Sequence, residues 1–559
     1  MTRFLDGTER GMAALIAWAM RAPARQVLLI SILCLLVLIP GLTTMPVTDR
    51  DEARFAQASK QMMETGDLID IRFQDQPRWK KPVGIYWLQA GTASLFGGVD
   101  APIWAYRLPS AFAAWLTAMF VLWGARPLIG ARGALLAAAM MATTLLLVAE
   151  GHIAKTDAAL TATAAAAFGA LAHIFHGQGG RGSALIFWLA IAVSILLKGP
   201  IVPVVALFAL IALAWRKETR AHLGRLWLLP GLLLTVVLVA PWLIAIWHIS
   251  GGAFFDEALG KDMGAKLTSG QENHWGPPGL FLALVWATAW PWAALLPSAA
   301  GWLWSQRRAG WLIFLAAWVI PFWVILEVVP TKLPHYVLPL YPALLVALAA
   351  WLVSDHAAGR WPRRFAAGLT VLPVLAGAAA LIVLPLLLDR QYAAVSGDAS
   401  APGQLSLPGI ALAMIALALS VVAARAVLAG QRLAHVGLGM AAAALLYAAI
   451  LNFALPKMWV AFPSPRMAEM LAQYQPCASG PAFSQGYHEP SQVFLTETGI
   501  RHAEGGGVSA ALASDPGALV LLEDRWAEIL GDSLPSAVER EVIHYFNYNR
   551  GKMMTARLL

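Results

Sequence analysis

Long apolar runs separated by short polar joints dominate this chain. A membrane-crossing helix needs roughly 17–25 residues. Runs of that kind fall near 26–44, 109–125, 131–149, 157–175, 226–248, 279–299, 310–328, 336–353, 365–388, 407–427 and 434–455. The stretch 184–215 is interrupted by Lys198-Gly199-Pro200, which predicts two spans hinged at a surface. The pattern therefore predicts about thirteen transmembrane helices. One further run, 83–97, reaches only about 22 Å as a helix, against a hydrocarbon core of about 30 Å.

The basic positions orient these spans. Clusters fall at Arg21/Arg25, Arg126/Arg132, Arg181, Arg216-Lys217 to Arg225, Arg307-Arg308, Arg360 to Arg364 and Arg425/Arg432. If 83–97 does not cross, every cluster lies on one side, the cytoplasmic one. If it crosses, all the later clusters oppose Arg21/Arg25. The expectation is a cytoplasmic N-terminus, a large external loop at 45–107, and 83–97 lying on the outer leaflet.

The tail 456–559 then also lies outside, and its character changes. Strand-like pieces ("PAFSQGY", "GALVLLED") alternate with helical ones ("SPRMAEMLAQY", "RWAEIL"). The expected architecture is an all-α polytopic membrane domain, 1–455, followed by a small α/β periplasmic C-terminal domain, 456–559.

Composition agrees with a membrane class. The chain is 59% hydrophobic and 13% charged, with a mean hydropathy of +0.64; a soluble domain is about half apolar and a quarter charged. Cys34 sits in an apolar run and Cys477 in the polar tail, so neither a disulfide nor a thiolate metal site is expected. Residues 1–26 are too polar and too long before the first apolar core for a cleaved signal, so that core reads as a retained anchor. No phosphate-binding glycine loop occurs, and neither a nucleotide nor a nucleic-acid partner is expected.

Against that sparse charge, "TDRDEARFAQ" at 48–57 stands out, just after the first span. Asp49-x-x-Glu52 has the form of a capping box and predicts a helix start. Asp51 and Arg54 are then i,i+3 neighbours, with Phe55, Ala58 and Met62 on an apolar face at the membrane surface. Lys80-Lys81 precede Pro82 at the predicted start of the 83–97 helix, a place where ammonium groups and helix amides suit a phosphate. "EGHIAKTDA" puts Glu150, His152, Lys155 and Asp157 in a short outer turn. Lys198 marks another helix end, and "PTKLPHYVLPLYP" adds Lys332, His335 and Tyr336. The loop 249–278 contributes "KDMGAK" and "ENHW". Five loops thus bring carboxylates and cations to one face, as transfer from a phosphate leaving group requires. Solitary histidines such as His152, His274 and His335 read as ordinary interfacial residues.

These motifs resemble the GT-C-like bacterial membrane glycosyltransferases related to protein O-mannosyltransferases, and among them the 4-amino-4-deoxy-L-arabinose lipid A transferases. The likeness rests on Asp51-Glu52-Ala53-Arg54-Phe55, Lys81-Pro82 with "YWL" at 86–88, Arg107-Leu108-Pro109-Ser110, Lys155-x-Asp157, Lys198-Gly199-Pro200, "KLPHYVLPLYP" and the closing "NYNRGK". It implies Asp51 as the principal catalytic carboxylate and Asp157 as the second acidic group. Arg54, Lys81, Lys198 and Tyr336 would surround the donor phosphate, with Lys155 and Lys332 as further substrate-binding cations. The implied donor is a sugar on undecaprenyl phosphate and the implied acceptor lipid A, at the periplasmic face of the bacterial inner membrane.

One departure stands out. The family often has aromatic-Glu-Lys-Pro where this chain has Trp79-Lys80-Lys81-Pro82. A candidate metal ligand is thereby lost, with His274 left as its one partner, so no metal and no other cofactor is expected. The reading leaves open a different sugar, or a protein or glycan hydroxyl as acceptor. A lipid transporter or flippase is the rival class; it would place charge or broken helices near mid-membrane, whereas here the charges sit at helix ends.

Overall fold

The computed structural model describes residues 2–264, 274–397, 403–478, 480, 482–503, 507–515, 517–531 and 537–559. Lys266 and Glu272 of the 249–278 loop lie outside the described residues, as does the side chain of Cys477; Cys34 is buried and free. Among the described residues, nine helices are long and apolar enough to cross a membrane. Two further pairs would each make one bent span, and two shorter apolar helices, Pro23–Leu38 and Ile201–Trp215, complete the set. These thirteen segments coincide with the apolar runs of the sequence. The chain is a multi-pass membrane protein.

The polar lead-in is itself helical, which the hydropathy pattern does not reveal. Helix α1 (Thr2–Met20) packs along Arg432–Ala448. Its Glu9 carboxylate accepts from the backbone amides of Leu433 and Ala434, at 3.3 and 2.5 Å, occupying donors that a helix start leaves open. Helix α2 (Pro23–Leu38) follows, then the large polar loop.

Bundle packing explains which spans are central. Asp157–Phe175 is buried along nearly its whole length, whereas Leu228–Ser250 exposes Leu229, Leu233 and Val237, as a lipid-facing helix does. The central helix crosses α5 (Ile103–Gly124, with α3 and α4 described below) where two glycines meet. A Cβ on Gly124 would lie 2.3 Å from the Gly169 Cα, so neither position admits a side chain.

The large loop holds α3 (Asp51–Thr65), a short hairpin of β1 (Arg72–Phe73) and β2 (Gln76–Pro77), and α4 (Gly84–Leu95). At twelve residues α4 is too short to cross. A Cβ on Gly84 would come within 2.8 Å of the Leu196 carbonyl oxygen. This close approach brings Lys80-Lys81 beside the end of Arg181–Lys198.

Two local expectations need correction. Helix α3 starts at Asp51, with Arg50 at its N-cap position and no side-chain cap there; Asp49 does not close a capping box. Instead Glu52 accepts from the amide and the hydroxyl of Thr48, at 2.8 and 2.9 Å. Nor does the apolar face of α3 lie on lipid. Phe55, Ala58 and Met62 pack with Val83, Ile85, Tyr86 and Trp242, because α4 and the neighbouring spans offer that face an apolar partner. On its other side Ala53 and Ala56 meet Phe494 of the tail.

The tail forms a five-stranded sheet in the order β4-β3-β5-β7-β6. The strands are β3 (Phe483–Gln485), β4 (Arg501–His502), β5 (Val520–Glu523), β6 (Glu541–Asn547) and β7 (Lys552–Leu558). Strands β3, β4 and β5 are parallel, and β6 and β7 close the sheet antiparallel. Strand β5 is buried throughout, its Val520-Leu521-Leu522 run in the core and Glu523 hydrogen-bonded by Tyr545. The tail docks on the large loop: Gln57 Nε2 donates to Thr498 Oγ1 at 2.7 Å, and Gln74 Nε2 to the carbonyls of Thr498 and Ile500.

Candidate functional site

The site is organised around the start of α3. Glu52 turns inward, where its carboxylate meets Arg107 of α5 at 2.7 and 3.0 Å and the Ala154 amide at 3.0 Å. Burial pushes this carboxyl up, but Arg107 and the two backbone donors outweigh that and hold it below the usual range. One carboxylate thereby ties the large loop, α5 and the 152–156 turn together. Asp51, one residue earlier, is the exposed position in the otherwise enclosed stretch 51–59.

The 150–157 turn, the end of Arg181–Lys198 and the start of the helical segment Pro334–Leu340 converge on a second cluster. Lys198 Nζ donates to Asp157 Oδ1 at 2.5 Å and lies 5.5 Å above the Tyr336 ring. Lys155 Nζ lies 3.1 Å from Glu150 and 3.6 Å from Asp157. Its ammonium, held in that form by the nearby carboxylates despite burial, donates to His335 Nδ1 at 3.3 Å. An accepting Nδ1 leaves the proton on Nε2, which faces Asp157 Oδ2 at 3.7 Å. Every cation here is paired to a carboxylate, which limits the penalty for burying it.

Residues from both groups line one cavity of about 350 Å³. Asp51, Arg54, Lys81, Lys155, Asp157, Lys198 and Tyr336 all border it, so seven of the sequence-predicted residues meet there. Lys332 does not. Its Nζ donates to the carbonyls of Leu326 and Glu327, at 2.5 and 2.7 Å, satisfying the carboxyl end of Gly310–Val328. The apolar residue spacing gives no sign of this, because a lysine just past a span end reads alike as a cap or as a ligand.

The cavity also gathers Arg50 and Arg78, which the motifs give no role, and Asp49, Lys80, His274 and His335, which the sequence names without assigning them to the site. His335 reads in the sequence as an ordinary interfacial residue, but here it faces Lys155 and Asp157. His152 takes no part; its ring meets the Val148 and Pro40 carbonyls. Lys81, Asp157, Lys198, His335 and Tyr336 border a second cavity of about 290 Å³, otherwise lined by Leu160, Ile201, Val204, Phe322, Ile325 and similar apolar groups. The charged chamber and the apolar one thus share bordering residues.

The chain is similar to several known proteins. Residues 80–247 match the family described as dolichyl-phosphate-mannose-protein mannosyltransferase. An undecaprenyl phosphate-α-4-amino-4-deoxy-L-arabinose arabinosyl transferase of Aeromonas hydrophila is 29% identical over 362 residues, 63% of this chain and 64% of that protein. The same enzyme of Pectobacterium atrosepticum is 28% identical over 57% of this chain and 58% of its own length. The alignments therefore span less than two thirds of these relatives. Apo ArnT from Cupriavidus metallidurans superposes with a TM-score of 0.71 at 18% identity, covering 95% of this chain and 97% of that one. The chain has the ArnT fold. ArnT from the same organism bound to undecaprenyl phosphate superposes equally well, covering 96% and 98% of the two chains. Within the ArnT fold, the family match contains Lys80, Lys81, Lys155, Asp157 and Lys198, whereas Asp51 and Arg54 precede it and His335 and Tyr336 follow it.

Proposed function

We propose that this protein transfers 4-amino-4-deoxy-L-arabinose, or a closely related sugar, from undecaprenyl phosphate to lipid A at the periplasmic face of the bacterial inner membrane. The observation that carries the reading is a pair of adjacent cavities with shared walls. A polyprenyl phosphate needs an apolar channel and a cationic chamber in contact, and Lys81, Lys198, His335 and Tyr336 border both. The names of the similar proteins supply the sugar and the carrier lipid.

In this reading Lys81, Lys198 and Arg54 hold the donor phosphate. The bond between the sugar's anomeric carbon and the phosphate oxygen breaks, its electron pair stays on the departing phosphate, and the cations stabilise that charge. An acceptor oxygen forms the new bond to the same carbon. Asp51 faces the chamber: it removes the proton from a hydroxyl acceptor, or orients the groups around an acceptor phosphate that is already anionic. Asp157 fixes the aim of Lys198.

A divalent metal does not fit the position where the resemblance suggests one. Lys80 offers an ammonium there, and Lys81 and Arg78 border the same space; an ammonium has no lone pair for a cation and repels it. No group of three or more metal-ligating side chains occurs among the described residues. No step is routed through a metal, and chelator treatment of the purified protein is expected to leave turnover unchanged. The direct experiment supplies purified protein with undecaprenyl-phosphate-aminoarabinose and lipid A, and reads lipid A by mass spectrometry. An added mass of one aminoarabinose supports the proposal; unmodified lipid A, with the donor intact, overturns it.

A further inference from the structure

The C-terminal sheet reaches back to the loop in front of Asp51. Arg50 donates from Nη2 to Asn549 Oδ1 at 2.6 Å, and Asn549 Nδ2 donates to Glu489 Oε1 at 3.0 Å. The turn joining β6 to β7 holds Asn549 in place: the amides of Asn549 and Arg550 both donate to Asn547 Oδ1, at 3.0 and 3.1 Å. Beside it lie Ser491 and Tyr548 of the tail, which favour the charged form of the half-buried Asp49 carboxyl. Of the two residues that precede Asp51, Arg50 is thus held by the tail and Asp49 lies against it.

Arg50 has φ +64°, in the left-handed region. An arginine rarely adopts that conformation unless its surroundings impose it. Here the side chain's bond to Asn549 does so. Arg50 also occupies the N-cap position of α3, so its backbone angles set where the first helical residue, Asp51, points. On the far side Glu52 is fixed by Arg107. Asp51 is suspended between an inward clamp and an outward one.

We propose that the outward clamp, the Asn547–Arg550 turn with Glu489, positions Asp51 for the reaction, and that Asn549 is a positioning residue acting through Arg50. The proposal rests on the reading of Asp51 as the reacting carboxylate. It assigns the tail a part in catalysis without any contact between the tail and the transferred sugar. Losing the clamp leaves Asp51 in the chamber with its aim relaxed, which lowers the rate of the chemical step while the donor still binds.

The test compares wild type, Asn549→Ala, and the pair Asn549→Asp with Glu489→Gln, all purified in detergent. In the pair, a carboxylate at 549 accepts from Arg50 and an amide at 489 donates back, so the chain of bonds is rebuilt. Asn549→Ala is expected to lower kcat between about 10- and 100-fold, the scale of a misplaced reacting group, with donor KM and Tm unchanged. Amide exchange over residues 48–54 is expected to quicken, and the paired variant to restore both. Unchanged exchange in Asn549→Ala, unchanged kcat, or a pair as impaired as the single variant would each overturn the clamp. Wild-type protein that transfers no sugar defeats the preceding reading instead, and the exchange measurement still judges the clamp.

Discussion

Arg107 and Glu52 form a fully enclosed ion pair, Nε to Oε1 at 2.7 Å, with neither side chain reaching solvent. The guanidinium also donates to the carbonyls of Leu42, Met45 and Pro46. The carboxylate spends its remaining capacity on Thr48 and Ala154. A buried pair contributes when its remaining donors and acceptors are satisfied in this way, and breaking one side strands the other.

Glu52→Gln keeps the shape but leaves Arg107 buried beside a neutral amide. The expected cost is about 3–5 kcal/mol, read as a lower Tm in detergent. The sign with pH follows from the depressed carboxyl of Glu52. Its contribution is present above the ordinary carboxylate range and lost as pH falls through the folded-state value. The Tm gap between wild type and variant should therefore shrink on acidification below about pH 4.5. A gap that stays constant down to the acid limit of folding would count against the pair.

Asp51→Asn is expected to abolish detectable sugar transfer while Tm stays within experimental error of wild type. The side chain is exposed to the cavity, so a nearly isosteric amide costs the fold little. A general base is typically worth about 10²–10⁴-fold. Wild-type turnover in the variant would remove Asp51 from the chemistry, and an unfolded variant would make this stretch structural.

The thirteen apolar segments and the tail's main elements were legible because period and length report burial directly. "SPRMAEMLAQY" is the helix Ser464–Tyr474 residue for residue, and "GALVLLED" contains β5. What escaped depends on partners far away in the chain. Arg107 stands in a motif but gives no sign that it meets Glu52, fifty-five residues earlier. The capping-box pattern at Asp49 fails because α3 starts two residues later, at Asp51, and Glu52 turns to Thr48 and Arg107 instead. Helix α1 was hidden because its Glu9 caps the start of the distant helix Arg432–Ala448, a partner that the local pattern does not show.

Lys81→Ala is expected to raise donor KM about 10- to 100-fold, the loss of one hydrogen bond to a charged group. Lys80→Ala should change it far less. Both residues border the charged chamber, but Lys81 also borders the apolar one, where in the proposed reading the phosphate would join its lipid tail. Titration of donor binding to each variant decides the matter. Equal, mild effects would mean that both lysines merely meet lipid headgroups.

Lys332→Ala separates a helix cap from a substrate ligand. The ammonium is buried beneath the carboxyl end of Gly310–Val328, within hydrogen-bond reach of two of its last carbonyls. Burial lowers the pKa of this ammonium; Glu327, whose carboxylate also caps the Gly279 and Leu282 amides, opposes that shift. Two unmet carbonyls and a void at this joint should destabilise the protein by about 1–3 kcal/mol. The cavity boundary does not include Lys332, so donor KM should stay at the wild-type value. Melting curves and donor titration on the same preparation give both numbers. A large rise in donor KM at unchanged Tm would return Lys332 to the substrate site, whereas a lower Tm with normal donor affinity fixes it as the cap.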